Sequence, residues 1–162
     1  MADVIIALGS NLGDRRRMLR KAAEFLQELS TEPISVSSAY ETDPVGASTQ
    51  TYLNAVALIR TDLRPGALLR CLKDWETAQG RDPDAGRWTD RLIDLDIIAY
   101  GRAYLEDADL VVPHPECLKR RFVMEPLAEI LPDWVHPTEG VRVDDILAEL
   151  PETGIRKGAA FW

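Results

Sequence analysis

Arg87-Trp88-Thr89-Asp90-Arg91-Leu92-Ile93-Asp94-Leu95-Asp96-Ile97-Ile98 runs from a polar loop into an apolar, β-prone segment that continues to Tyr100 and is interrupted only by two aspartates. Side chains two apart on an extended strand share a face, so Asp94, Asp96 and Ile98 project one way and Ile93, Leu95 and Ile97 the other. The two carboxylates then stand roughly 7 Å apart at Cα, close enough to converge on hard cations. A pair of Mg²⁺ ions about 3.5–4 Å apart is a known device for holding and activating phosphates. Arg87 and Arg91 just upstream are placed to meet phosphate oxygens. An isolated Asp-x-Asp more often marks a solvated strand face, but the neighbouring arginines and Trp88 favour a site.

Outward from this strand the chain reads as alternating elements. Asp3 to Gly9 is a buried-strand pattern, and Gly9-Ser10-Asn11-Leu12-Gly13 turns into Asp14, a helix N-cap. The helix that follows carries Met18, Leu19, Ala22, Ala23, Leu26 and Leu29 at helical spacing, which leaves Arg15, Arg16 and Arg17 facing solvent. Ile34 to Thr42 alternates as one strand with a polar face, Asp43 to Thr49 is a turn-rich loop, and Tyr52 to Thr61 returns beside it. Pro65 opens a second helix whose stripe is Leu68, Leu69, Leu72 and Trp75, and Gly80 stops it. Strand, helix, strand, strand, helix, strand is the split βαβ order of an α+β, ferredoxin-like βαββαβ sandwich, with helices on one face of an antiparallel sheet and the other face free for ligands and extra elements. Additional C-terminal elements follow: a strand at Leu110 to Pro113 and helices near Phe122 to Leu131 and Val143 to Leu150. Pro151 to Trp162 shows no period and is left as a tail.

With 162 residues and 46% apolar content, the chain fills one sizeable core, and a single domain over 1–162 is expected. No apolar run approaches the ~18 residues of a membrane span, and the N-terminus begins on a strand-like segment rather than a basic leader, so a cytoplasmic protein is expected. The net charge of −8 argues against nucleic acid and anionic membrane as partners, but not against a small phosphorylated ligand held by a local basic cluster. Arg81/Arg87/Arg91 and Lys119/Arg120/Arg121 are two such clusters, with His114 between them. Cys71 and Cys117 lie in no metal-type spacing and read as free thiols, Cys71 within the core.

Several separated motifs occur in one order: Gly9-Ser10-Asn11-Leu12-Gly13, Tyr40-x-Thr42-x-Pro44-x-Gly46 with Tyr52-Leu53-Asn54, Arg91-x-x-Asp94-x-Asp96, Pro113-His114-Pro115 and Arg121-Phe122-Val123. Together they resemble the 6-hydroxymethyl-7,8-dihydropterin pyrophosphokinases of folate biosynthesis, over about Val4 to Pro137. The resemblance implies transfer of pyrophosphate from MgATP to the hydroxymethyl group of the reduced pterin, releasing AMP. It implies a catalytic set of Arg81, Arg91, Asp94 and Asp96, with the two aspartates holding two Mg²⁺ ions. Glu76, Arg87, Trp88, Ile97, His114 and Arg120 are expected to bind ATP, and Thr42, Pro44, Val45, Tyr52, Asn54, Trp88 and Phe122 the pterin. ATP and the pterin are the expected small-molecule partners of a monomer.

The chemistry fits the residue types, since flat pterin rings favour aromatic stacking and an amide presents both donor and acceptor to a heterocyclic edge. Without the family pattern, Tyr52 and Phe122 read as ordinary core residues and His114 as a rigid turn residue. Where the family commonly has Gly-Pro before its Arg-x-x-Asp-x-Asp motif, this chain has Thr89-Asp90. Asp82, Asp84 and Asp90 also offset Arg81, Arg87 and Arg91, so weaker nucleotide binding or a shifted loop equilibrium, with retained chemistry, is expected. A related metal-dependent phosphotransferase and a noncatalytic pterin- or nucleotide-binding module are the competing readings.

Overall fold

The structure is a computed structural model that describes residues 1–44, 50–80 and 92–162. The long central strand β1 (Ala2–Ser10) ends at the glycine-containing turn, and Asp14 then caps α1 (Arg15–Leu29) by accepting the Arg17 N–H at 3.2 Å. After α1 come β2 (Ser35–Val36), β3 (Tyr40–Thr42) and β4 (Tyr52–Thr61). Pro65, whose missing N–H costs nothing at a helix start, opens α2 (Pro65–Ala78), and β5 (Asp94–Tyr100) follows. Gly80, at φ +103°, takes the backbone out of α2 in a conformation that side chains disfavour.

The strands lie in the order β5-β1-β4-β3, all antiparallel, with β2 also paired to β4. This is the ferredoxin-like arrangement expected from the element order. On one face, α1 and α2 bury Leu19, Ala22, Leu26, Leu68 and Leu72 against Val4, Ile6, Leu8, Ile93, Leu95 and Ile97. Phe25 of α1 stacks on Trp75 of α2 at 4.9 Å, which locks the two helices together.

The opposite face carries the additional elements and a cavity. After the small hairpin β6 (Leu105–Glu106) and β7 (Val111–Val112), α3 (Arg121–Ile130) and α4 (Val143–Glu149) cover part of it, burying Val123, Met124, Leu127 and Val143 against Ile5, Val56, Ile98 and Ala99. A register shift between β1 and β5 at Ile5/Ile6 places the consecutive residues Ile98 and Ala99 in this same cluster, as a bulge does.

Four expectations change. The alternation read from Ile34 to Thr42 breaks at Ser37, whose hydroxyl accepts the Val56 N–H at 3.0 Å; two short strands result, and Ser37 and Ala39 become buried. Arg15 turns inward to donate to the Thr51 hydroxyl at 2.6 Å and carbonyl at 2.8 Å, beside Glu41, instead of facing solvent. Cys71 flanks the buried Leu68–Leu72 stripe and is half-buried, whereas Cys117 is fully buried and its thiol is pushed up to about 11 by that burial. The tail forms β8 (Ile155–Lys157), which pairs with β3 at the sheet edge, and its Phe161 enters the first core cluster.

Glu129 at the end of α3 ties this edge together. It accepts from the Ser38 N–H and from the buried Tyr40 hydroxyl at 2.9 Å, and its carboxylate lies 3.1 Å from Lys157 Nζ. Burial pushes its carboxyl up, but the hydrogen bonds from Ser38, Lys157 and Tyr40 outweigh this and hold it below the ordinary value. Glu129→Ala leaves a buried hydroxyl without its acceptor and is expected to cost about 1–3 kcal/mol, read as a lower melting temperature. Because the folded carboxyl is the stronger acid, its contribution is complete above the unfolded pKa of about 4.3 and is lost as pH falls through the lower folded value. The gap between wild type and variant should therefore close in acid.

Candidate active site

One face of the sheet changes character along its strands. On β4 the residues Leu58 and Val56 give way to Asn54 and Tyr52, on β1 Ile5 and Ala7 give way to Gly9, and on β5 Ile98 gives way to Asp96 and Asp94. The apolar half packs beneath α3 and α4. The polar half floors a cavity of ≈ 730 Å³ whose lining includes Gly9, Thr42, Pro44, Tyr52, Asn54, Lys73, Asp94, Asp96, His114, Arg120 and Phe122.

Register sets what stands where on this floor. Gly9 pairs with Asn54 on one side and Asp94 on the other, and Ala7 pairs with Asp96. A Cβ on Gly9 would come within 3.2 Å of Asn54 Oδ1 and 3.9 Å of Tyr52, so the glycine keeps the floor flat between the amide and the carboxylates. Asn54 is 7% exposed and donates through Nδ2 to Thr42 Oγ1 at 2.8 Å, which fixes its amide and places Oδ1 over Gly9. Phe122, at the start of α3, lines the cavity with Arg120 over its ring at 5.6 Å from the centroid.

At the β5 end, Lys73 of α2 donates to the Leu95 carbonyl at 2.8 Å and to Glu76 at 3.2 Å, and its Nζ lies 3.7 Å from Asp96 Oδ1. Glu76 is fully buried and accepts the Leu95 N–H, so it binds α2 to β5 from behind the aspartate strand. His114 is held from both sides: its N–H donates to the Ile98 carbonyl at 2.8 Å, and its Nδ1 accepts the Glu116 N–H at 3.1 Å. Burial lowers the His114 pKa, with Arg120 and Lys73 adding to the effect and Asp96 and Glu116 opposing it. Because Nδ1 accepts the Glu116 N–H, the neutral form of the ring carries its proton on Nε2.

Two aspartates on one strand face are hard oxygen donors of the kind Mg²⁺ takes. Among the described residues no group of three or more His, Cys, Asp or Glu side chains is placed to hold a metal. That donor set suits Mg²⁺, which takes one or two carboxylates and fills its remaining positions with water and substrate phosphates.

The structure thus brings together Thr42, Pro44, Tyr52, Asn54, Asp94, Asp96, His114, Arg120 and Phe122 around one cavity. Glu76 and Ile97 do not line it: Glu76 is spent on the Leu95 backbone, and Ile97, one residue out of phase with Asp96, faces the α1/α2 core. Val45, Arg81, Arg87, Trp88 and Arg91 lie outside the described residues, as do Thr89, Asp90 and the acidic positions Asp82 and Asp84. Arg121, in the second basic cluster, is occupied with Glu125 and with the Leu147 and Leu150 carbonyls at the end of α4. Sequence reading missed Lys73, although its spacing of three from Glu76 puts the two on one helix face. It also missed Thr153, Gly154 and Ile155, which line the cavity from the C-terminal strand and carry no local signal.

Residues 5–132 match the family model described as 7,8-dihydro-6-hydroxymethylpterin-pyrophosphokinase (HPPK). A 2-amino-4-hydroxy-6-hydroxymethyldihydropteridine pyrophosphokinase of Bacillus subtilis is 40% identical over 153 residues, covering 93% of this chain and 87% of the relative. The protein of that name from Methylorubrum extorquens is 40% identical over 159 residues, covering 97% and 99%. Among solved structures, wild-type Plasmodium falciparum HPPK-DHPS with pteroate superposes with a TM-score of 0.70 at 14% identity, over 91% of this chain and 42% of that one, which speaks to the fold. The motifs in order, the family match over most of the chain and these relatives agree: the chain belongs to the 7,8-dihydro-6-hydroxymethylpterin-pyrophosphokinase family.

Proposed function

We infer that this chain transfers the β,γ-pyrophosphoryl group of ATP to the hydroxymethyl group of 6-hydroxymethyl-7,8-dihydropterin, giving the pterin diphosphate and AMP for folate synthesis. The observation that carries the reading is a single cavity floor with a fixed amide and an aromatic ring at one end and two carboxylates at the other. Asn54, held by Thr42, reads the pterin edge, and Tyr52 and Phe122 flank the ring. Asp94 and Asp96 are the residues that would hold two Mg²⁺ ions, whose bound charge neutralises the ATP phosphates and polarises the group in transfer.

The chain's own contribution is positioning and charge. The pterin hydroxyl oxygen must approach the β-phosphorus in line with the departing AMP oxygen, and a fixed ring plane at one end of the floor sets that approach. Arg120, the His114 Nε2–H and the α3 N-terminus supply positive potential at the same rim, suited to phosphate oxygens. Lys73, beside Asp96, is a further cation within reach of a polyphosphate. Arg81, Arg87 and Arg91 are assigned to the nucleotide phosphates, Trp88 to the closed site and Val45 to the pterin side on the family pattern alone. Glu76 and Ile97 support the nucleotide side by holding α2 and β5 in place.

Incubation with ATP, Mg²⁺ and the reduced pterin, followed by chromatographic separation, is expected to give AMP and pterin diphosphate together, with neither formed when the pterin is left out. ADP would indicate an ordinary kinase or ATPase instead. Asp96→Ala is expected to lower metal-dependent turnover by about two orders of magnitude or more while leaving the circular dichroism spectrum unchanged. Turnover comparable to wild type would remove Asp96 from the metal site.

A further inference from the structure

The last strand of the chain reaches the cavity from the sheet edge opposite β5. β8 pairs with β3 so that Thr42 faces Ile155, and Thr153, Gly154 and Ile155 line the cavity together with Thr42, Asp43 and Pro44. The join is closed by backbone and side chain. The Asp43 N–H donates to the Gly154 carbonyl at 3.1 Å, and Arg156 Nη1 lies 3.4 Å from Asp43 Oδ1. Gly154 has φ +78°, and a Cβ there would stand 3.1 Å from Asp43 Oδ2. A side chain at 154 would therefore be strained in its own backbone and would press on the residue next to Thr42.

Thr42 in turn accepts the Asn54 amide hydrogen bond, so what fixes Thr42 fixes the heterocycle-reading amide. The rest of the strap is anchored by residues outside the cavity lining. The Gly158 N–H donates to the Ala39 carbonyl at 2.8 Å and the Ala39 N–H to the Ala159 carbonyl at 3.2 Å, the Arg20 guanidinium donates to the Phe161 carbonyl at 3.2 Å, and Phe161 is buried.

We propose that the C-terminal strand is a positioning element for the pterin, acting through Gly154 on Asp43 and Thr42 and hence on Asn54, with Ile155 as part of the pocket wall. This rests on the pyrophosphokinase reading given above. The strap leaves the β5 end untouched, so disturbing it separates pterin recognition from nucleotide binding.

The test compares Gly154→Ala with Gly140→Ala. Gly140 also has a positive φ, +68°, but nothing lies within 4 Å of an added Cβ and it is not among the cavity-lining residues. Pterin affinity is read by fluorescence titration with a nonhydrolysable ATP analogue present, and KM is measured separately for pterin and for ATP. Gly154→Ala is expected to weaken pterin binding and raise its KM about tenfold, with the ATP KM and the Gly140→Ala parameters near wild type. Ile155→Ala, which leaves the backbone pairing intact, is expected to shift the same way and serves if Gly154→Ala does not fold. Unaltered pterin affinity in a folded Gly154→Ala or Ile155→Ala protein, or equal losses for pterin and ATP, would overturn the proposal. Failure of the reaction itself would show differently, as a wild-type protein that makes no AMP.

Discussion

The pairing of Gly9 with Asn54 on one side and Asp94 on the other is the constraint on which the site depends. Neighbouring strands are about 4.8 Å apart, so this one row sets an amide and a carboxylate roughly 10 Å from each other across a residue with no side chain. That separation suits a flat heterocycle at one end and a polyphosphate at the other. A one-residue slip of β1 against either neighbour would turn Asn54 or the aspartates toward the helices, and the buried runs Val4, Ile6, Leu8 and Leu95, Ile97 make such a slip costly. The apolar core on one face thus dictates the polar pattern on the other.

The second layer of control is the helical cover. α3 and α4 cover only the apolar half of the site face, and at the start of α3 Phe122 lines the open floor with the Arg120 guanidinium over its ring. Behind β5, Glu76 accepts the Leu95 N–H and Lys73 donates to the Leu95 carbonyl, so α2 grips the backbone between the two aspartates. A buried carboxylate with its charge met by a lysine and a backbone N–H holds the strand in position more firmly than apolar contact alone.

The sequence carried the βαββαβ order because β1, β4 and β5 are long, largely apolar β-prone runs, and α1 and α2 carry clear helical stripes. Asp94 and Asp96 stood out because charged residues inside a buried strand have no packing reason to be there. What escaped was non-local. The break at Ser37 depends on a hydroxyl meeting the Val56 N–H, the inward turn of Arg15 on Thr51 lying next to it, and the order of the last residues on an edge of β3 that only the folded sheet presents. Three-residue β8 has no period to read, although it closes one wall of the cavity.

The most direct test of the Gly9 row is the Gly9→Ala protein, titrated with pterin and separately with MgATP. An added methyl would sit 3.2 Å from Asn54 Oδ1, on the floor between the two ends, while a strand readily accommodates alanine. The account predicts a folded protein of near wild-type melting temperature that binds MgATP and has lost pterin affinity about tenfold or more. Pterin affinity equal to wild type in that folded protein would contradict the placement of the heterocycle over Gly9 and Asn54.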